Sequence, residues 1–379
     1  MTRLDGSVIM RICMISGLAK YHGGVEHVVD ELSSVMVNHG ATVTVFNKYY
    51  RDFVEKSNNF TTVGVRPYEL LPPRLSARFP DYEQYVYNLK AWRKTKVYGP
   101  FDLIHGHGSS CFFSSIFRTK KPFLMTFHGT MEGNFRKIYG SKISPQFFTL
   151  FYPEQVAALR CDLAVACSNA VKNELVTFYG ANQNKIAIIH NGVDVNKFFP
   201  QDKNWARRKL ELPPKNKYAL WIGREPIRKG LSIAMKAVEK IPNIRLLVVG
   251  INGNNFGKTI FLGKISEAKI IDAYNAADFL IFPTIYEGFP LVPLEALACG
   301  LPIIVSTASN LGEIIEEGVH GFVVKEGSPS AYKEKIEFLL NDDVILEKMP
   351  LECRNLAINY SWNRQAEKYW KIYQRIIDS

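Results

Sequence analysis

The chain reads as a β–α alternation that runs its course once and then starts again, and this doubling restricts its fold more than any other feature. Short apolar runs at Ile12 to Ile15, Thr42 to Phe46, Leu103 to His105, Phe123 to Phe127, Leu163 to Ala166 and Ile186 to Ile189 have the length of buried strands. Between them, Val25 to Asn38 and Ser168 to Phe178 show helical spacing, with Ser168 as a predicted N-cap. After Gly192 the pattern begins afresh with strands predicted at Tyr218 to Ile222, Arg245 to Val249, Ile260 to Leu262, Phe279 to Phe282 and Ile303 to Val305. Helical segments near Gly230 to Glu239, Ser266 to Asn275 and Leu291 to Cys299 separate them. Strands apolar on both faces and alternating with helices predict parallel sheets covered on both sides. One hydrophobic core stops growing near roughly 250 to 300 residues. The 379 residues therefore predict two doubly wound α/β domains, joined near Asn191 to Pro214. Ligands of such sheets bind beyond the carboxyl ends of the strands, and pockets favour domain interfaces, so a cleft between the two halves is the expected site.

Aromatic residues make up 12% of the chain and the net charge is only +11, which excludes disorder as the main state. No apolar run approaches the roughly 20 residues a bilayer span needs, and Met1 to Cys13 has no secretory-signal pattern. The six cysteines are scattered without Cys-x-x-Cys or zinc-type histidine spacing, which predicts buried thiols in a reducing, cytoplasmic setting. Residues 1–200 carry 23 basic against 15 acidic residues, and Lys90, Arg93, Lys94 and Lys96 lie among Tyr85, Tyr87, Trp92 and Tyr98. Such a stretch suits either a solvated helix face or an anionic membrane surface; no recognised motif supports nucleic acid as a partner.

Two nucleotide-binding fingerprints fail on spacing. Gly253 to Thr259 resembles a phosphate loop but has three residues between its glycines where four are required, and a strand follows in place of a helix. Gly106-His107-Gly108 has Cys111 where the dinucleotide fingerprint needs its third glycine.

Three other constellations carry chemistry. Glu287-Gly288-Phe289-Pro290-Leu291-Val292-Pro293-Leu294-Glu295 follows a strand and enters a helix, whose free N–H groups suit an anion while the flanking carboxylates suit hydroxyl groups. Two glutamates near a helix start also read simply as complements to its dipole. Arg224 and Lys229, in the loop after the second half's first strand, suit a diphosphate or merely a basic surface turn. Gly23 and Gly24 open a helix after the first strand, as a close approach to a ligand or a plain turn.

These motifs, with His190-Asn191-Gly192-Val193-Asp194, Ser306 to Glu313 and Tyr360-Ser361-Trp362, occur in an order and spacing that resembles the retaining family-4 glycosyltransferases of the GT-B fold. The resemblance covers nearly the whole chain. It implies two Rossmann-like, doubly wound domains facing a central cleft: an acceptor-side domain at 1–188, completed by a C-terminal helix at 360–379 that returns to it, and a nucleotide-sugar domain at 189–359. It implies that Glu295 binds the ribose of the donor and Glu287 the hydroxyls of its sugar. Arg224 and Lys229 would neutralise the diphosphate, and Gly24 would approach it. Gly263, Lys264 and Ile265 would meet the base, and Gly288, Phe289, Pro290, Leu291 and Val292 would present backbone to phosphate and sugar. His128 matches the family's histidine facing the donor sugar, a position a hydrogen-bonded structural histidine would also fit. His22, Gly23, His107 and Asn191 are acceptor-side candidates.

The implied activity is transfer of a hexose-type sugar from a nucleotide diphosphate sugar to an acceptor hydroxyl, with retention and with neither metal nor cofactor. The acceptor would be a saccharide or a lipid-linked one; the basic and aromatic segment from Arg66 to Tyr98 adds the narrower expectation of a lipid-linked acceptor used at the cytoplasmic face of a membrane. A nucleotide-sugar epimerase or a non-catalytic nucleotide-sugar binding module would share the same fold.

Overall fold

The computed structural model describes all residues except 1–2, 5–6, 20–22, 68–81, 118–119, 141–144, 326 and 379. The chain divides into two compact units, one of residues 1–190 with 362–379, the other of residues 191–361. His22 lies outside the described residues.

The first unit is built on an eight-stranded sheet in the spatial order Ile186–Ile188, Leu163–Ala166, Phe123–Phe127, Leu103–His107, Arg11–Ala19, Thr42–Lys48, Phe60–Val65 and Phe53–Ser57. All pairings are parallel except the last. The strand Phe53–Ser57 has no counterpart in the apolar pattern because it is an exposed edge, where a two-residue turn at Asn58 and Asn59 suffices and no core face is required. Ile12 to Ile15 and Leu124 to Met125 are fully enclosed, as expected of central strands. The helix Asn169–Tyr179 starts at Ser168, whose side chain accepts from Val171 N at 3.2 Å. The C-terminal helix Trp362–Asp378 belongs to this unit and buries Trp362, Ala366, Tyr369 and Tyr373 along one stripe.

Much of the basic and aromatic stretch forms the helix Tyr82–Tyr98. Several of its cations are engaged within the unit. Lys94 pairs with Asp52 at 2.9 Å, Lys90 donates to the Arg66 carbonyl at 2.9 Å, and Lys96 sits 4.0 Å above the Trp92 ring.

The second unit is a six-stranded, wholly parallel sheet in the order Thr259–Gly263, Ile244–Val249, Lys217–Ile222, Phe279–Phe282, Ile303–Ser306 and Gly321–Val324. The order reverses between Lys217–Ile222 and Phe279–Phe282, the kind of switch point beyond whose carboxyl ends ligands of such sheets bind. Below it the sheet is tied by Asp278, whose Oδ2 accepts from Tyr218 N at 2.7 Å and from Arg207 Nη2 at 2.8 Å. All six cysteines are buried thiols outside any disulfide. Among the described residues, no helix is long and apolar enough to cross a membrane.

Candidate active site

At the reversal point of the second unit, the turns from Gly223 to Gly230 fold over the end of Phe279–Phe282. Gly230 has φ +67°, and a Cβ there would lie 2.0 Å from the Pro283 carbonyl oxygen, so only glycine allows the crossing. Trp221 Nε1 donates to the Lys229 carbonyl at 3.0 Å and pins the loop to its strand. Arg228 and Lys229 thereby converge on one carboxylate oxygen: Arg228 Nη1 is 2.8 Å from Glu287 Oε1, and Lys229 Nζ pairs with the same atom. Thr284 Oγ1 lies 3.3 Å from it. Glu287 is only 13% exposed, so these charges are weakly screened. Its Oε2 keeps no protein partner among the described residues.

Arg228 also forks onto Glu225, at 2.8 and 2.9 Å, and donates to the Tyr286 carbonyl at 3.0 Å. Burial opposes the Arg228 charge, but Glu225 and Glu287 outweigh it and raise its pKa above the ordinary guanidinium value. The hydrogen bond from Arg228 holds Glu225 below the usual carboxylate range against a smaller opposing effect of burial.

The loop that carries Glu287 is held by its backbone. Glu287 N donates to the Ala308 carbonyl at 3.0 Å, and Asn310 Nδ2 donates to the Glu287 and Gly288 carbonyls at 2.7 and 3.1 Å. Asn191 Nδ2 donates to the Phe289 carbonyl at 2.6 Å. The helix Leu291–Ala298 follows, with Pro290 as an extended N-cap and no side chain capping its first turn. The N–H groups of Leu291 and Val292 are therefore left for an anion. One turn on, Glu295 Oε2 accepts from Tyr274 Oη at 2.6 Å. At the end of the sheet's edge strand Thr259–Gly263, Gly263 has φ +70°, its carbonyl accepts from Gly250 N at 2.8 Å, and Lys264 N donates to Asn252 Oδ1 at 3.3 Å.

The first unit's sheet reverses between Arg11–Ala19 and Leu103–His107. A Cβ on Gly106 would meet Cys111 Sγ at 2.3 Å and Met125 Sδ at 2.5 Å, so the strand end is packed as tightly as glycine permits. Three histidines gather there. His105 is fully buried, with Nδ1 2.7 Å from Tyr373 Oη and Nε2 2.7 Å from Thr126 Oγ1. Burial, with a smaller push from His128, lowers its pKa to about 3, so it is a neutral structural ring. His107 Nδ1 is 3.1 Å from His128 Nε2, and the two rings are nearly parallel at 11°. Burial above all, then the two neighbouring histidines, holds His107 well below the usual imidazole range. The helix Met131–Tyr139 after His128 starts on two carboxylates, the buried Glu154 and the half-buried Glu174: Met131 N donates to Glu154 Oε2 at 2.7 Å, and Thr130 Oγ1 to Glu174 Oε2 at 2.7 Å.

Residues 202–359 match the family model for "Glycosyl transferases group 1", and residues 22–197 match that for "Glycosyltransferase Family 4". The chain belongs to the family-4-like glycosyltransferases. A D-inositol 3-phosphate glycosyltransferase of Rhodococcus jostii is 26% identical over 58% of this chain and 54% of that protein, so the alignment spans about half of the relative's length. Among solved structures, a sucrose-phosphate synthase of Thermosynechococcus elongatus superposes with a TM-score of 0.82 at 20% identity, covering 97% of this chain and 99% of that one. HepE of Anabaena, solved with UDP and glucose, gives 0.73 at 17% identity over 97% and 100%. The fold of this glycosyltransferase is therefore GT-B.

Within each unit the glycosyltransferase gathers some of the expected residues and separates others. Glu287 and Lys229 meet. Arg224 is exposed on the same loop; Arg228, which no sequence motif singled out, joins Lys229 on Glu287. Adjacent charges at Arg228 and Lys229 were the only signal of it, and without the fold of the turn they carry no direction. Asn191, expected on the acceptor side, belongs to the second unit and supports the Phe289 carbonyl, because the chain crosses between units just before it. Gly23 is the exposed N-cap of the helix Gly24–Asn38, and Gly24 its exposed first residue. The phosphate-loop look-alike does lead into a strand, Thr259–Gly263, and Lys258 Nζ donates to the Ile241 carbonyl.

Proposed function

We propose that this glycosyltransferase moves a hexose-type sugar from a nucleotide diphosphate sugar to an acceptor hydroxyl, with retention and without a metal. The observation that carries the reading is the Glu287 carboxylate, held through Oε1 by Arg228 and Lys229 with Oε2 unpartnered among the described residues, just before a helix N-terminus whose N-cap makes no side-chain cap. Oε2 accepts from sugar hydroxyls. The N–H groups of Leu291 and Val292, with Lys229, meet the diphosphate, whose charge grows as it departs. The UDP and glucose held by the HepE neighbour support a nucleotide-sugar donor.

A carboxylate already matched by two cations is a poor nucleophile, so Glu287 forms no covalent glycosyl intermediate. The anomeric carbon passes through an oxocarbenium-like state. Its bond to the diphosphate oxygen breaks while the acceptor oxygen bonds on the same face, and the acceptor proton goes to the departing diphosphate. Arg224, exposed at the loop tip, adds charge for the donor phosphates. His128, whose Nε2 lies 3.1 Å from His107 Nδ1, is the first unit's candidate for a sugar contact. Gly23 and Gly24 lie at the acceptor side. The acceptor is a saccharide or lipid-linked hydroxyl presented at the cytoplasmic face of a membrane.

The test is a proton NMR time course of donor turnover in excess EDTA. Undiminished turnover with release of a sugar whose first anomer matches the donor's supports the reading. Inversion, chelator-sensitive turnover or an epimerised sugar would overturn it.

A further inference from the structure

The helix Leu291–Ala298 offers two different things within one turn: open N–H groups at Leu291 and Val292, and the Glu295 carboxylate three to four residues on. At a rise of about 1.5 Å per residue these lie roughly 5–6 Å apart along the axis. A phosphate at the helix end and a diol separated from it by an ester oxygen, a methylene and one ring carbon span about that length, which is the α-phosphate and ribose of a nucleotide. The orientation of Glu295 therefore decides whether the diol is gripped.

That orientation is set from outside the helix. Tyr274, on the helix Glu267–Ala276, is 1% exposed, and its hydroxyl donates to Glu295 Oε2 at 2.6 Å, the short range of a hydroxyl on an ionised carboxylate. Burial first, then the Glu295 charge, pushes the phenol well above its ordinary pKa, so it remains a donor. The Tyr274 ring is itself fixed, meeting Phe198 edge-on at 5.9 Å between centroids. Other polar residues of the Tyr274 helix serve its anchorage: Asn275 Oδ1 accepts from Gln201 N at 2.7 Å, and Asp272 pairs with Lys209 at 3.2 Å. Tyr274 instead reaches the carboxylate of the neighbouring helix.

We infer that Tyr274 is a positioning residue which, by engaging one oxygen of Glu295, turns the carboxylate so that its other oxygen grips the ribose diol, and thereby sets a preference for ribonucleotides over deoxyribonucleotides. Glu295 is the residue that touches the ligand; Tyr274 acts through it. The inference rests on the donor-site reading above, and its test separates the two.

Calorimetry is run on the full chain with UDP, GDP and ADP, and then with the 2′,3′-dideoxy form of whichever binds, for the wild type and for Tyr274→Phe, which removes one oxygen from a packed ring. The expected result is a wild-type preference for the ribose form of tenfold or more. Tyr274→Phe should weaken the ribose form about tenfold and leave the dideoxy form within twofold, so that the preference collapses. Equal weakening of both forms would make Tyr274 merely structural and overturn the proposal, as would an unchanged preference. If wild type binds none of the three nucleotides, the donor-site reading itself falls and the inference with it. If wild type binds both sugar forms equally, the donor site survives but the ribose grip is refuted. If Tyr274→Phe does not fold, Glu295→Gln decides: loss of the preference supports the grip, and its retention overturns it.

Discussion

Arg228→Gln tests the site at the residue the sequence did not single out. The change removes the Nη1 contact to Glu287 at 2.8 Å and the fork onto Glu225, while Lys229 stays on Glu287 Oε1. The carboxylate is thus still paired, and the loss is that of one charged hydrogen bond, about 1.5–3 kcal/mol. With Arg228 20% and Glu287 13% exposed, solvent screening discounts this only modestly. The kcat/KM for the nucleotide sugar should fall about 10- to 100-fold, since about 1.4 kcal/mol is a factor of ten. Because Arg228 acts on the carboxylate that meets the sugar, affinity for the nucleoside diphosphate alone should change less than threefold. The assay pairs steady-state donor kinetics with calorimetry of the diphosphate. Wild-type kcat/KM would refute the role of Arg228, and a diphosphate affinity lost in parallel with kcat/KM would show that it holds phosphate and not Glu287.

Other perturbations probe neighbouring links. Lys229→Ala removes the cation that meets the departing diphosphate, so kcat should drop about 10²- to 10³-fold with little change in KM; a normal kcat would eliminate the clamp. Burial pushes the Glu154 carboxyl up to about 7, with Met131 N and Tyr179 Oη pulling the other way. The folded state thus holds a proton that the unfolded chain releases near pH 4.5, and stability falls as pH rises from about 4.5 to about 7. Glu154→Gln removes that penalty, so its melting temperature relative to wild type should rise between pH 5 and pH 8 (on the order of a few kcal/mol); a pH-independent difference would contradict it. Gly106→Ala drives a Cβ to 2.3 Å from Cys111 Sγ and should destabilise the first unit by about 1–3 kcal/mol in thermal unfolding, whereas an unchanged melt would mean that the pocket yields freely.

What the sequence disclosed follows the range of the interactions involved. Buried parallel strands are continuous apolar runs, so Phe123–Phe127 and Phe279–Phe282 were legible residue by residue. The exposed edge Phe53–Ser57 left no such trace. Glu287 and Glu295 were legible because loop, helix start and both carboxylates lie in nine consecutive residues. Tyr274 and Arg228 were not, since each acts on a glutamate 21 or 59 positions away, and only the adjacency of the second unit's strands brings them together. The same holds for His107 and His128, whose contact depends on neighbouring parallel strands ending at one level.

The most direct measurement is a donor screen: the purified chain incubated in turn with UDP, GDP and ADP sugars, read by nucleoside diphosphate release. The account predicts selective release from one donor, abolished in Glu287→Ala. Release from none of them, together with no binding of any nucleotide in calorimetry, would contradict it.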